Sequence, residues 1–145
     1  MLKNKVFLTQ TDTSIGFVSQ SADRLTSIKQ RSPHKHYIKA VDSLATLQSF
    51  TRVPQRHKHN IRRASKSTFI MPNGHSYRVV KDKVHLLLLK RLGWAYTTSA
   101  NLSGESYDER FAREVADVIV EPLVQQRARV SSIYKLSNHQ IKRIR

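Results

Sequence analysis

Three short polar runs in this sequence combine residue types that could do chemistry. In Thr97-Thr98-Ser99-Ala100-Asn101-Leu102-Ser103-Gly104, hydroxyls and one amide crowd into a turn closed by glycine. Glycine permits a positive φ or a close backbone approach, and successive N–H groups in such a turn can form a concave nest for an anion. Lys29-Gln30-Arg31 places an ammonium beside a guanidinium. Residues two apart on an unbroken helix face different ways. Ser32, however, precedes Pro33 and is biased toward extended geometry, so a helix ending near Lys29 would let both cations project into one cleft. Such a pair can bind phosphate and carboxylate together and stabilise charge developing in phosphoryl chemistry. In Thr11-Asp12-Thr13-Ser14-Ile15-Gly16 the hydroxyls could contact a nucleotide or a substrate carboxylate. Asp12 is there either a Mg²⁺ ligand or a turn residue bonding its own downstream backbone. Taken singly, each run also fits an ordinary role as solvated cations or turn formers.

The elements that must position these runs follow from pattern. Val6 to Thr9 reads as a buried strand feeding a tight loop that runs to Gly16. Ser21 caps a helix from Ala22 to about Lys29, with Leu25 and Ile28 inside, and Ser43 caps another through Leu44, Leu47 and Phe50. Tyr37 to Val41 alternates like a strand between them. Arg52 to Lys66, with Arg52, Arg56, Lys58, Arg62, Arg63 and Lys66 and hardly any apolar pattern, reads as a basic loop. Thr68 to Met71 and Tyr77 to Val80 flank Pro72-Asn73-Gly74, a strong hairpin signal. Lys83 to Leu92 predicts a largely buried helix ended by Gly93, and Trp94 to Thr98 a strand. Ser106 with Glu109 predicts a capping box for a helix to about Ala116, before a buried strand over Val118 to Val120. Val130 to Leu136 and Gln140 to Arg145 read as strands about a Ser137-Asn138 turn. This interleaving predicts an α/β fold, one mixed-sheet domain over residues 1–145.

Composition narrows the partners. Twenty-six Lys and Arg against ten Asp and Glu give a formal charge of +16, a field that attracts nucleotides or RNA. With no cysteine, a disulfide framework, a thiolate nucleophile and Cys-ligated metal centres are excluded. The apolar run after Met1-Leu2-Lys3-Asn4-Lys5 is too short for a signal segment or a membrane span, so a cytoplasmic protein is expected. His34/His36 and His57/His59 have a spacing that can bind zinc on a strand, but no acidic or cysteine ligand is near in sequence, and surface histidines are the expected reading.

Taken together and in order, the runs resemble the YrdC/YciO-like family. Gln10-Thr11-Asp12-Thr13-Ser14-Ile15-Gly16 is similar to its Pro-Thr-Asp-Thr-x-Tyr-Gly stretch, and Lys29 to Lys35 to its Lys-x-Arg-Pro-x-x-Lys element. Ser67-Thr68-Phe69-Ile70 resembles its Val-Thr-hydrophobic strand, and Tyr77-Arg78-Val79 its Val-Arg-hydrophobic one. The Ser-Ala-Asn-x-Ser-Gly signature stands intact at Ser99 to Gly104. Ser131-Ser132-Ile133 looks like the later Ser-Thr-Ile strand, and the terminal Leu-Arg element corresponds to Ile141-Lys142-Arg143 or to Ile144-Arg145. The chain departs from the pattern at Gln10, at Ile15 where the family has a ring, and at Ala64-Ser65-Lys66-Ser67, where a Pro-Gly-Pro-like element is usual. It is also short, without the family's opening helix before the first strand.

The resemblance implies a twisted sheet with flanking helices around a large basic concave cleft. It further implies an L-threonylcarbamoyladenylate synthase that joins L-threonine, bicarbonate and ATP, with Mg²⁺ on the triphosphate, and supplies downstream proteins that modify tRNA. By that resemblance Lys29 and Arg31 are catalytic, and Thr11, Thr13, Lys35, Thr68, Arg78, Ser99 and Asn101 bind substrate. Ser103, Gly104, Ser131 and Arg143 bind the nucleotide, and no protein-held metal is expected. The rival expectation is a non-catalytic protein on the same fold that binds tRNA or double-stranded RNA, since small-molecule chemistry alone does not demand a charge of +16.

Overall fold

A computed structural model of the chain describes residues 2–123 and 131–145. Near the N-terminus, β1 (Phe7–Gln10) and β2 (Ile15–Ser19) form an antiparallel hairpin around residues 11–14. The loop reading of 11–16 is therefore corrected, because Ile15 and Gly16 already belong to a strand. All five β2 residues are buried, so the strand has no polar face and shows no period-two signal. Ser21 caps α1 (Ala22–Lys29), its side chain accepting from the Arg24 N–H. The helix stops where Gln30 takes a left-handed conformation (φ 50°), one residue past its end.

After β3 (Ile38–Val41) comes α2 (Leu44–Phe50), where the Ser43 hydroxyl accepts from the Thr46 N–H. The expected basic loop is partly helical: a 3₁₀ turn over Gln55–His57 leads into α3 (Lys58–Arg63). Ile61, fully buried, anchors that helix while Arg62 and Arg63 face solvent. β4 (Ser67–Ile70) and β5 (Ser76–Val79) pair as the expected hairpin, with Gly74 at φ 85° in the turn.

Asp82 caps α4 (Lys83–Leu92), and Gly93 ends it at φ 86°. That helix is less buried than expected, since Val84 is 46% and Leu87 67% exposed. β6 (Trp94–Ser99) follows, and then α5 (Glu109–Val115), whose cap is Asp108, accepting from the Phe111 N–H, rather than Ser106. β7 (Val118–Ile119) is an edge strand, not a buried one, and Val118 is half-exposed. β8 (Ser132–Leu136) and β9 (Ile141–Arg143) close the described chain, and the expected start at Val130 lies outside the described residues.

Among the described residues, nine strands join one twisted mixed sheet in the order β7-β1-β2-β6-β3-β5-β4-β8-β9. The β1–β7, β3–β5 and β4–β8 pairs are parallel and the others antiparallel. Alternation along the strands divides the core between two faces. On one face Leu8 and Phe17 cluster with Leu25 of α1 and Ala112 of α5, while Val41 and Phe69 cluster with Leu47 of α2 and Ile61 of α3. On the other, Phe7, Val18, Ala40 and Ala95 meet Leu88 and Leu89 of α4. Among the described helices only α4 covers this second face, so one end of it lies open.

Gly16 shows how tightly the centre is built. A Cβ there would lie 2.7 Å from the Thr98 carbonyl oxygen and 3.0 Å from Thr11 Cγ2. Only a residue without one lets β2 pair this closely with β6.

Candidate active site

The open end of the α4 face holds a cavity of about 280 Å³. Strand ends supply its base with Ile38, Arg78, Thr97 and Ser99, the β1–β2 turn supplies Thr11, Thr13 and Ser14, and the last strands supply Ser131 and Arg145. Arg31, His36 and Tyr37 close the side before β3. Six of the residues singled out in the sequence, Thr11, Thr13, Arg31, Arg78, Ser99 and Ser131, thus surround one space.

Arg78 is anchored from within the sheet. Its Nε and Nη2 donate to Thr68 Oγ1 at 3.1 and 2.8 Å, and Nη1 donates to Asp12 Oδ1 at 3.1 Å. The two charged side chains are only 6% and 5% exposed. Thr68 is therefore a buried support beneath Arg78 and does not line the cavity. Asp12 Oδ2 is buried without a partner, so this carboxylate is held toward Arg78 instead of standing open. Among the described residues no group of three or more His, Cys, Asp or Glu gathers. The described cavity lining offers no Asp or Glu to hold Mg²⁺, and Asp12 beside it is already paired with Arg78.

The turn before β2 is self-supporting. Thr11 Oγ1 donates to the Ser14 carbonyl oxygen at 2.6 Å and accepts from the Ser14 N–H at 3.2 Å. This leaves Thr13 and Ser14 facing the cavity on a rigid hairpin end.

Lys29 and Arg31 do not share the cleft as expected. Lys29, the last residue of the helix before the left-handed Gln30, is 3% exposed, points behind the Ser99–Gly104 loop and stands outside the cavity lining. Its Nζ donates to the carbonyl oxygens of Ser99 and Asn101 at 2.7 and 2.6 Å, and the Ser103 N–H returns a bond to the Lys29 carbonyl at 3.0 Å. Burial, and secondarily Arg31, pull the Lys29 pKa down to about 8. Asn101 also braces the loop, donating to the Leu102 and Glu105 carbonyls at 2.8 and 2.6 Å. Ser103 and Gly104, at φ 81°, are exposed and lie outside the cavity lining. Arg31 does face the cavity, with Nη2 donating to the His36 carbonyl at 2.9 Å and its guanidinium carbon 4.6 Å from the Tyr37 ring centre.

Two further cations fall elsewhere. Lys35 is exposed and lines a separate pocket of about 550 Å³. Arg143 is exposed and reaches Ser132 Oγ at 3.5 Å, while Arg145 occupies the cavity. Arg145 donates from Nε to the Ser131 carbonyl at 3.1 Å and from Nη2 to Ser131 Oγ at 2.8 Å. Of the two terminal elements weighed in the sequence, Ile144-Arg145 is thus the one at the cavity. Sequence reasoning missed Ile38, Tyr37 and His36 as lining residues; the alternation of Tyr37 to Val41 was the available signal for the first two. Of the His-x-His pairs, His57 is buried with Nε2 2.9 Å from the Ser137 carbonyl, while His59 is exposed, so they do not converge.

The sequence and the fold both have counterparts among known proteins. The chain is 34% identical over 100 residues to the uncharacterized protein MG259 of Mycoplasma genitalium, a match that covers 68% of this chain and 21% of that protein. The chain thus spans about a fifth of the length of the curated relatives it matches. Among solved structures, Sua5 of P. abyssi complexed with L-threonine superposes with a TM-score of 0.82 at 17% identity, over 97% of this chain and 50% of that one. E. coli YciO superposes with a TM-score of 0.71 at 19% identity, over 97% and 82% of the two chains. The family model described as "Telomere recombination" matches residues 1–145. With its fold and its whole length accounted for in this way, the chain belongs to the Sua5/YciO/YrdC family.

Proposed function

We propose that the chain is an L-threonylcarbamoyladenylate synthase. The observation that carries this reading is a single cavity where the guanidinium groups of Arg31, Arg78 and Arg145 meet the hydroxyls of Thr13, Ser99 and Ser131. Membership of the family and the likeness to a Sua5 that holds L-threonine support it.

In the proposed reaction the threonine amine combines with bicarbonate, losing water, to give an N-carboxylate. An oxygen of that carbamate attacks the α-phosphorus of ATP, the bond to the β-phosphate oxygen breaks, and pyrophosphate leaves. Every reactant carries an anionic group, so the site must neutralise charge and hold the attack in line. Arg31 and Arg145 are assigned to carboxylate and phosphate oxygens, which a planar guanidinium can engage in bidentate fashion. Thr11, Thr13, Ser99 and Ser131 orient threonine and nucleotide. Arg78, fixed by Thr68 and Asp12, presents its remaining donor capacity from the base of the cavity. Lys29 and Asn101 are positioning residues that shape the Ser99–Gly104 loop from behind, and Mg²⁺ enters with the triphosphate of ATP. The product would pass to tRNA-modifying proteins.

The test is pyrophosphate release from ATP by the purified chain. Release should require both L-threonine and bicarbonate, and Arg31→Ala should lower kcat/KM by about 10²-fold or more. Release that ignores threonine or bicarbonate would overturn the assignment.

A second reading has its own support. Arg52, Arg56, Arg62 and Arg63 are all exposed and stand outside the cavity lining. A surface of this kind suits an RNA backbone, as partner of the synthase or in place of catalysis.

A further inference from the structure

On the face of the sheet opposite the cleft lies the larger pocket of about 550 Å³. It occupies the gap between the core under α1 and α5 and the core under α2 and α3. Its floor is a row across three strands, where Lys39 of β3 pairs with Tyr77 of β5 on one side and Tyr96 of β6 on the other. Residues paired in this way share a face. The Lys39 ammonium lies 4.1 Å from the ring centre of Phe50, 4.4 Å from that of Trp94 and 5.5 Å from that of Tyr96. Burial lowers its pKa. Among the described residues no carboxylate lies within salt-bridge distance of it. Ring faces thus hold a half-buried cation that still lacks an anion.

The rim adds charge and hydrogen-bonding groups. Lys35, the edge-on rings of His36 and His75, 5.4 Å apart, and Thr26 and Asn73 line the pocket, together with one carboxylate, that of Asp23. An aromatic floor with cations beside it is complementary to a ligand that joins a flat π system to an anion.

We infer that this pocket binds a nucleotide unit, its base laid on the tyrosine floor and its phosphate met by Lys39 and Lys35. A free nucleoside monophosphate and a residue of single-stranded RNA share this chemistry. The inference does not rest on the synthase reading: the two linings share His36 and Tyr37, but none of the cleft arginines lines this pocket.

The test titrates the full chain with uridine 5′-monophosphate and, separately, with a short labelled oligouridylate, read by NMR shifts and fluorescence anisotropy. At least one should bind. Lys39→Met, which keeps the aliphatic stem on the rings, should weaken it about tenfold, and Lys35→Glu should do likewise. Arg145→Ala, a cleft variant, should change it by less than about twofold. Binding of both probes marks a mononucleotide site, and binding of the oligomer alone marks an RNA site. If neither probe binds, or if binding ignores both lysine variants, the inference is overturned. Should Lys39→Met fail to fold, Lys35→Glu decides, since that residue is exposed on a loop.

Discussion

Arg78 commits three donor contacts to Thr68 and Asp12 inside the sheet, so its direction is set before any ligand arrives. Removing only the guanidinium would leave a buried carboxylate with no counter-charge. Arg78→Met should therefore cost about 3–5 kcal/mol in urea unfolding, and adding Asp12→Asn should recover a large part of it. If the double variant is no more stable than the single one, the pair is not the reason for the loss. Near the same ion pair sits His85, fully buried, with neither ring nitrogen partnered. Burial is the largest influence on it and holds its pKa down at about 4, with Arg78 adding to the effect and Asp12 and Asp82 opposing it. In the unfolded chain the ring takes a proton below about 6.5, while the folded chain resists until about 4. The unfolded state thus binds the extra proton in that window. Stability should fall as pH drops from about 6.5 to 4, by on the order of 2–3 kcal/mol. His85→Leu should flatten this part of the pH–stability curve, and an unchanged slope would refute the assignment.

Among the elements, β2 and β6 meet closely at Gly16. Gly16→Ala would press a methyl against the backbone at Thr98 and should cost about 1–3 kcal/mol, seen as a lower midpoint in chemical denaturation. Elements with a local chemical mark were legible in the sequence. Ser21 and Ser43 cap helices through their own hydroxyls, Gly93 ends α4 at a positive φ, and Asn73-Gly74 turns the β4–β5 hairpin. β2 and α3 carry no such mark. The first is buried on both sides, and the second has Ile61 as its one fully buried residue amid cations, so tertiary packing alone selects them. The candidate site divides in the same way. Its hydroxyls and arginines were visible as residue types, but Lys29, just before the left-handed Gln30, lies behind the loop. The path of β9 brings Arg145, and not Arg143, to Ser131.

For the whole molecule the charge of +16 is far more than three cleft arginines account for. If RNA is held by the exposed cations of α3, binding should weaken steeply with salt. Arg62→Glu with Arg63→Glu should then reduce the log–log salt slope by about 1.5. A slope that stays the same would place RNA elsewhere or exclude it. The sheet order has one further consequence, for the timing of assembly. β6 lies between β2 and β3 in space but follows both in the chain, and it is the strand that joins the β7-β1-β2 group to the β3-β5-β4-β8-β9 group. A nascent chain synthesised only as far as α4 can form local hairpins, yet its two halves have no shared strand to hold them in register. Thr97 and Ser99 arrive on that same strand. The closing of the sheet and the arrival of Thr97 and Ser99 at the cleft are therefore one event, and Ser131 and Arg145 complete the lining only when the last strands follow.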